Sequence, residues 1–167
     1  MSQPITDTLI IDLPVARAVV LPDTHVKPML RSALGDLVRL WFASYSGTLT
    51  LTTSWDDEVD DWTASFDGAY GQLLDPACLV AEIDGSLVGA IQTVADAPWP
   101  HTPSGPFVTE LLVHPSWRNR GVATHLVRRA LTAVYDLGYT RVGLRVDPDN
   151  TAACNLYKSI GFIDWHE

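Results

Sequence analysis

The strongest constraint on the fold of this chain is a strand, helix, strand pattern in its second half. Residues 107–113 and 141–146 are apolar runs of strand length, and residues 121–137 between them have the three- and four-residue periodicity of an amphipathic helix. The inward stripe of this helix consists of Val122, Leu126, Ala130, Leu131 and Val134. A connection of this kind joins parallel strands through a right-handed crossover. The pattern therefore predicts a central parallel strand pair covered by a helix.

Both strands of this pair end in polar loops, which the topology brings to the same edge of the sheet. The first loop enters its helix at Gly121, and the second enters a further helix that Asp149 or Asn150 can cap and Gly161 can end. Ligands in such sheets bind beyond the carboxyl ends of the strands, and the free N–H groups of a helix start attract anions. The sequence therefore predicts a phosphate-binding crevice.

The first half of the chain predicts two helices and a hairpin. One helix begins near Leu30 and can end at Gly47, and a second begins after a capping box of Ser54 and Asp57 and continues towards Gly71. Between them, residues 48–53 are predicted to be an extended link. The hairpin joins residues 78–83 to residues 87–94 through Asp84-Gly85, and its register places Leu79, Ala81 and Ile83 on one face.

Two apolar runs near the N-terminus are the other strand candidates of the first half. Residues 9–11 form a short run before Pro14, and residues 15–21 are predicted to be the first strand, ended by Pro22. Residues 95–106 contain four prolines and are predicted to be an irregular loop, and residues 162–165 form a last short strand. The predicted order is β-α-α-β-β-β-α-β-α-β, within a single domain of residues 1–167.

Composition excludes several classes of protein. The chain is 47% hydrophobic and 19% charged, which is typical of a globular protein, and its net charge of −9 opposes nucleic-acid binding and suits a cationic substrate. No apolar run is long enough to span a bilayer and the N-terminus has no basic start, so we expect a cytoplasmic protein without membrane contact. Cys78 and Cys154 lack the spacing of metal ligands and are predicted to be small buried residues, without a metal site.

Two motifs in the second half resemble a known family. Residues 118–123, Arg-Asn-Arg-Gly-Val-Ala, resemble the Arg/Gln-x-x-Gly-x-Gly/Ala signature of the GNAT superfamily of acetyl-CoA-dependent N-acyltransferases. Residues 150–162 are similar to the family's Asn-x-x-Ala-x-x-x-Tyr-x-x-x-Gly-Phe ending, and the hairpin lies where the family has its second and third strands. The resemblance implies an α/β fold with a mixed, mostly antiparallel sheet, in which helices flank a central parallel strand pair.

The resemblance also implies acetyl-CoA as the co-substrate. In the family, the pantetheine arm pairs with the strand before the signature, which implies main-chain contacts from Leu112 and Val113. The pyrophosphate would lie on the backbone of the signature loop, where a side chain at Gly121 would block its approach. The residues implied for this part of the site are Arg118, Asn119, Arg120, Gly121, Val122, Ala123, Thr124 and Asn150.

Two catalytic roles follow from the same resemblance. Tyr157 matches the family's general acid, which protonates the departing thiolate. Glu110 lies where several members hold a catalytic glutamate and is the first candidate for the general base. Asp147, His101 or a water molecule are alternatives, whereas His114, His25, His125 and His166 are interpreted as structural or exposed.

The implied function is acetyl transfer from acetyl-CoA to a primary amine of a small molecule or peptide, by direct attack in a ternary complex. The alternative is a catalytically inactive module that binds acyl-CoA as a sensor. The two early helices and residues 95–106 would recognise the acceptor. The acidic residues 56–61, together with Trp55, Trp62 and Trp99, favour a cationic acceptor with an apolar portion.

The chain departs from the family pattern at one edge of the sheet. The family commonly continues into a further strand after the one that begins here at Phe162. We therefore expect either the apolar run at residues 9–11 or a partner chain to pair with that edge. An edge without a partner favours association, so a homodimer is a further expectation.

Overall fold

The computed structural model describes residues 6–46 and 52–166, which contain seven strands and four helices. In chain order these are β1 (Asp7–Asp12), β2 (His25–Pro28), α1 (Leu34–Tyr45), α2 (Trp55–Phe66), β3 (Leu79–Ile83), β4 (Ser86–Val94), β5 (Phe107–Val113), α3 (Val122–Asp136), β6 (Arg141–Val146), α4 (Thr151–Ile160) and β7 (Ile163–Asp164). The predicted link at residues 48–53 and the predicted helix end at Gly47 lie largely outside the described residues.

The strands form one sheet in the order β2-β3-β4-β5-β6-β1-β7. β5 and β6 are parallel, and the other neighbouring pairs are antiparallel. This confirms the predicted mixed, mostly antiparallel sheet with a central parallel pair. Helices cover both faces of the sheet. The polar loops that follow β5 and β6 therefore begin between two packed layers of helices.

Alternation along the strands separates two hydrophobic layers. One layer packs α3 and α4 against the sheet, and its members include Leu79, Ala81 and Ile83 of β3, as the hairpin register predicted. The other packs α1 and α2 against the opposite face and includes Val80 and Leu112. On β5, Leu112 points towards the α1–α2 layer, whereas Val108, Leu111 and Val113 pack on the α3–α4 side, so the alternation is interrupted between Val108 and Leu112.

The predicted first strand at residues 15–21 is wrong, because this segment is irregular. β1 lies beside β6 and β2 lies at the far edge, so the chain between them must cross the sheet over α3. Two carbonyl groups of this segment contact side chains of α3. Arg128 Nη1 donates to Ala16 O over 2.8 Å, and His125 Nδ1 lies 2.7 Å from Val19 O. Val19 and Val20 are exposed rather than paired.

The apolar run at residues 9–11 is the true first strand. Leu9 pairs with Leu144 of β6 on one side and with Asp164 of β7 on the other. β1 thus occupies the position between β6 and β7, which confirms the expectation that this run fills the gap in the sheet. β2 was missed because it has only four residues and contains a proline at the sheet edge.

The second helix is shorter than its apolar periodicity predicts. α2 ends at Phe66, and Gly68 and Gly71 with positive φ angles of 88° and 108° turn the chain away, so Tyr70 lies in a turn instead of on the helix. None of the helices in residues 6–46 and 52–166 combines the length and the apolar composition needed to cross a membrane.

The capping box of α2 supplies a first prediction. Asp57 N donates to Ser54 Oγ over 3.1 Å, and Ser54 N donates to Asp57 Oδ2 over 3.0 Å. Ser54→Ala leaves the helix start without its cap and is expected to lower the free energy of unfolding by about 1 kcal/mol, or the Tm by about 2–4 °C. Thermal unfolding measures this, with Ser54→Thr as the control that keeps the hydroxyl. An equal loss in both variants would contradict the capping role.

Candidate active site

The sheet opens at the middle of β5. Glu110 pairs with Gln92 of β4 and Val108 pairs with Thr93, so Thr109 is a bulged residue without a partner on β4. Parallel pairing with β6 is limited to Phe107–Gly143 and Val108–Leu144. Beyond the bulge no pairing joins β5 to β6, so the two strands separate towards their carboxyl ends, and the space between them is called the crevice.

The crevice side of β5 presents main-chain groups that do not pair with β4. His114 N donates to Val88 O over 2.9 Å, and hydrogen-bonded pairs alternate along an antiparallel ladder. The main-chain groups of Leu112 therefore face Ala90 of β4, whereas those of Leu111 and Val113 face the crevice. Of the two residues predicted to pair with pantetheine, Val113 directs its main-chain groups to the crevice side, as Leu111 does, and Leu112 directs them to β4.

Glu110 lies at the floor of this opening. Its half-buried carboxylate accepts hydrogen bonds at Oε1 from Tyr45 Oη of α1 over 3.1 Å and from Leu111 N over 3.2 Å. Burial, with a smaller contribution from the nearby carboxylates of Glu58 and Asp61, raises the pKa of Glu110 to about 7, although the two hydrogen bonds oppose the shift. A carboxyl group with this pKa can exchange protons at neutral pH.

Tyr157 lies on the inner face of α4, close enough to Glu110 for that carboxylate to affect its pKa. The residue is buried and its ring packs edge-on against Phe162, with the ring centroids 5.5 Å apart. Burial raises the pKa of Tyr157 well above its ordinary value, and the Glu110 carboxylate adds to the shift. The phenol is therefore protonated at neutral pH and can act as a proton donor.

The loop that leads into α3 provides no side-chain cap for the backbone N–H groups at the start of this helix. Gly121 precedes the helix with φ 83° and provides no side-chain cap, and Asn119 also has a positive φ of 59°. The N–H groups of Val122, Ala123 and Thr124 belong to the first turn of the helix and have no carbonyl four residues earlier within it. Together with the helix dipole they form an anion site of the kind that a pyrophosphate requires.

The two arginines of this loop make specific contacts. Arg118 Nε donates to Val113 O over 3.2 Å, and its Nη2 donates over 2.5 Å to Ser44 O in the last turn of α1. Arg118 thus links the end of β5 to the end of α1. The guanidinium of Arg120 lies 4.8 Å from the ring centroid of Trp117, at the loop surface. Asn150 caps α4, with Oδ1 accepting from Ala153 N over 3.1 Å.

The other candidates for the base are placed less favourably. Asp147 Oδ1 accepts from Asp149 N over 2.9 Å, so this carboxylate stabilises its own turn. His101 is exposed in the proline-rich loop with φ 57°, and its carbonyl accepts from Arg145. His114 Nδ1 accepts from Ser116 N over 3.2 Å. Among these residues and Glu110, Glu110 alone combines burial with a position on the crevice floor.

A cleft of about 220 Å³ extends from Glu110 between α2, β4 and the proline-rich loop of residues 95–106. It is lined by Glu58, Asp61, Trp62, Ser65, Tyr70, Gln92, Trp99, Thr109 and Glu110. Sequence reasoning named Trp62 and Trp99 but missed Gln92 and Tyr45. A polar residue inside the apolar strand 87–94 is the signal that could have identified Gln92. Trp55 lies outside the cleft and stacks on Phe42, with ring centroids 6.0 Å apart.

Within the described ranges, no group of three or more His, Cys, Asp or Glu side chains is arranged to hold a metal ion. Cys78 is buried as predicted, and Cys154 is half-buried.

Comparison with known proteins agrees with this geometry. Residues 38–162 match the family model described as the acetyltransferase (GNAT) family. This match covers most of the chain. The chain belongs to the GNAT acetyltransferase family.

Named acetyltransferases are among the relatives of this GNAT protein. It is 29% identical over 128 residues to L-2,4-diaminobutyric acid acetyltransferase of Nocardia farcinica, covering 76% of this chain and 60% of the relative. It is 34% identical over 122 residues to mycothiol acetyltransferase of Nocardiopsis dassonvillei, covering 71% of this chain and 34% of the relative. The chain thus spans less than two thirds of the length of these relatives.

A solved structure shares the fold. The GCN5-related N-acetyltransferase of Sphaerobacter thermophilus superposes with a TM-score of 0.74 at 17% identity, over 96% of this GNAT chain and 48% of the other. At this identity the similarity concerns the fold alone.

Gly121 provides a second prediction for this GNAT protein. A Cβ at Gly121 would lie 3.5 Å from Leu21 Cδ2, an ordinary contact, so the cost of Gly121→Ala comes from its φ of +83°. We expect a loss of about 1–2 kcal/mol in unfolding free energy. We also expect about tenfold weaker coenzyme A binding, because a relaxed φ turns the helix N–H groups away from the phosphates.

The matched control for this prediction is Gly85→Ala in the β3–β4 turn, where φ is +79° and no atom lies within 4 Å of the added Cβ. Denaturant unfolding should give similar losses for both variants, and calorimetry with coenzyme A should separate them. Unchanged coenzyme A affinity in Gly121→Ala would contradict a pyrophosphate site at this loop.

Proposed function

We propose that this chain is an N-acetyltransferase that moves the acetyl group of acetyl-CoA to a primary amine of a small molecule, by direct attack in a ternary complex. The observation that supports the proposal is the proximity of Glu110 on β5 to Tyr157 on α4, close enough for the carboxylate to raise the pKa of the phenol. One is a carboxyl group with a pKa near neutrality, and the other is a phenol that stays protonated. An amine acyltransferase needs both a proton acceptor and a proton donor at the reacting bond.

The donor substrate would bind along the crevice between β5 and the loop into α3. Its pyrophosphate would accept hydrogen bonds from the first N–H groups of α3, and its extended arm would pair with β5 at Leu111 and Val113. Arg118 Nε donates to Val113 O in the unliganded structure, so an amide of the arm would replace that bond. Arg118 would remain held by its second bond, from Nη2 to Ser44 O.

Acceptor activation is assigned to Glu110. An incoming ammonium transfers a proton to this carboxylate, directly or through water, and becomes a neutral nucleophile. Its lone pair then attacks the thioester carbonyl carbon and forms the C–N bond. Tyr45 Oη donates to Glu110 Oε1 and orients the carboxylate towards the cleft, and burial raises the pKa of Tyr45, so the phenol keeps its proton.

Collapse of the tetrahedral adduct breaks the C–S bond. The departing thiolate takes the proton of the Tyr157 hydroxyl, and the adduct nitrogen returns its extra proton to the Tyr157 oxygen, directly or through water. Coenzyme A therefore leaves as a thiol and the product as a neutral amide, and Glu110 releases the proton of the ammonium to solvent. A covalent route through Cys78 is disfavoured, because burial raises the pKa of this thiol to about 11 and the side chain lies in the core between β3 and β4.

Thiol release from acetyl-CoA, measured over a panel of primary amines, tests the proposal. The panel includes L-2,4-diaminobutyric acid, for which the Nocardia farcinica relative is named. Thiol release that depends on the amine, with one N-acetyl product per thiol by mass spectrometry, is the expected result. Acetylation of the protein itself would contradict direct transfer. Binding of acetyl-CoA without turnover on any amine would favour a sensor.

A further inference from the structure

The cleft beyond Glu110 is acidic along its length. Glu110 lies at its floor, Glu58 is only 5% exposed in its wall, and Asp61 is exposed at its mouth, one helical turn after Glu58 on α2. The aromatic rings of Trp62, Tyr70 and Trp99 form the remaining walls. The cleft therefore joins three carboxylates to apolar surface.

No basic side chain in residues 6–46 and 52–166 forms an ion pair with any of these three carboxylates. The hydrogen-bond partner of Asp61 is neutral, since Tyr70 Oη donates to Asp61 Oδ1. Beside Glu58, the side chain of Trp62 is also neutral and opposes the rise of the Glu58 pKa. Burial and the neighbouring Asp61 raise the pKa of Glu58 to about 7. Grouped carboxylates without a counter-charge are costly in a protein and attract cations.

A buried amide gives an independent indication of a ligand. Gln92 is 3% exposed and lines the same cleft, and its Oε1 accepts from Ser65 Oγ over 2.7 Å and from Thr109 Oγ1 over 3.1 Å. Its Nε2 has no hydrogen-bond partner in the described part of the chain. A buried donor without a partner destabilises the folded state, so its retention in a cleft wall points to a bound molecule that supplies an acceptor atom.

We propose that this cleft binds the second cationic group of the acceptor, so that the substrate is a diamine. The inference rests on the proposed function and extends it to the substrate class. The reacting amine lies at Glu110, the second ammonium is held between Glu58 and Asp61, and the carbon chain passes along Trp62 and Trp99. Gln92 Nε2 donates to an oxygen atom of the acceptor or to a bridging water.

Charge and size both favour this class of molecule. A single ammonium at Glu110 leaves the two carboxylates of α2 uncompensated, and an acceptor whose far end is a carboxylate would face repulsion from both. An ammonium near aromatic faces gains an additional cation–π attraction. A volume of about 220 Å³ suits a short aliphatic chain and is small for a large multi-ring molecule.

Equilibrium binding tests the proposal without requiring turnover. Titration calorimetry with coenzyme A present compares straight-chain diamines with monoamines and with amino acids of the same chain length. We expect the diamine of best-fitting length to bind about tenfold more tightly than its monoamine, and the amino acid to bind most weakly. Asp61→Asn should reduce this ratio towards one, and Glu58→Gln should do the same.

The matched control is Asp60→Asn. Asp60 is an exposed aspartate on the same helix, outside the cleft lining, and its loss changes the net charge by the same amount. A reduced ratio in Asp61→Asn but not in Asp60→Asn supports the subsite. Equal affinity for diamines and monoamines, or equal effects of the two substitutions, would overturn it.

The outcomes also separate this inference from the proposed function. Selective diamine binding without acetyl transfer would refute the activity and leave the subsite standing. Acetyl transfer to amines without any preference for a second ammonium would do the reverse.

Discussion

Tyr157→Phe is expected to lower kcat by about 10²- to 10³-fold and to change KM little, because the thiolate would leave without a proton donor. The phenyl ring keeps its edge-on contact with Phe162, so the free energy of unfolding should change by less than about 1 kcal/mol. Steady-state thiol release and thermal unfolding measure the two quantities. Turnover at the parent rate would remove the acid role from Tyr157.

A leaving-group series makes this prediction more specific. Acetyl donors whose departing thiol is more acidic need less help from a proton donor, so the deficit of Tyr157→Phe should shrink with such donors. Tyr139→Phe, on a partly exposed ring outside the crevice, is the control and should behave as the parent does. A deficit that stays constant across the donors would indicate a positioning role instead.

Glu110→Gln is expected to lower kcat/KM by about 10²-fold at pH 8, because the amide keeps the shape of the side chain but accepts no proton. In the parent, burial raises the pKa of Glu110 to about 7. The base is ionised above that value, so log kcat/KM should fall as pH decreases through 7. The variant should lack this acidic limb.

Several groups around Glu110 affect the pH dependence of kcat/KM. Tyr45 on α1 and Leu111 N stabilise the carboxylate, whereas Glu58 and Asp61 on α2 disfavour it, and Glu58 itself has a pKa of about 7. The pH profile is best measured with a monoamine acceptor, because a monoamine has no second ammonium to bind at Glu58 and Asp61. Their ionisation then contributes less to kcat/KM. An acidic limb that persists in Glu110→Gln would assign the titration to Glu58 and contradict Glu110 as the base.

Stability should change in the opposite direction to activity. The pKa of Glu110 is higher in the folded protein than in the unfolded chain, so its contribution to stability is present at low pH and is lost as pH rises towards 7. Glutamine has no such ionisation and still accepts the hydrogen bond from Tyr45. Glu110→Gln is therefore expected to be more stable than the parent at pH 8, which separates lost catalysis from lost folding.

Much of the fold was predictable because its signals are local. Strands β5 and β6 have the predicted bounds, and the Ser54–Asp57 capping box and Asn150 cap were predicted from residue types at fixed spacing. The apolar stripe of α3 is buried as predicted. Such features follow from backbone geometry and hydrophobic periodicity within a few residues.

The errors arose where distant residues decide the outcome. Residues 15–21 are rich in valine yet irregular, because His125 and Arg128 of α3 contact their carbonyl groups and the segment must cross the sheet. The bulge at Thr109, which determines which main-chain groups of β5 face away from β4, depends on pairing with β4. Strand propensity contains no information about either constraint.

The sequence by itself determined the positions of the motifs: a glycine at the start of α3, a glutamate on β5 and a tyrosine on α4. Only the tertiary structure decided their properties, since desolvation and neighbouring charges bring Glu110 to a pKa of about 7, and the burial of Tyr157 near Glu110 raises the pKa of the phenol. It also assembled Glu58, Asp61 and Gln92 into one cleft. Local geometry is encoded over a few residues, whereas burial and charge coupling arise between residues that are distant in the chain.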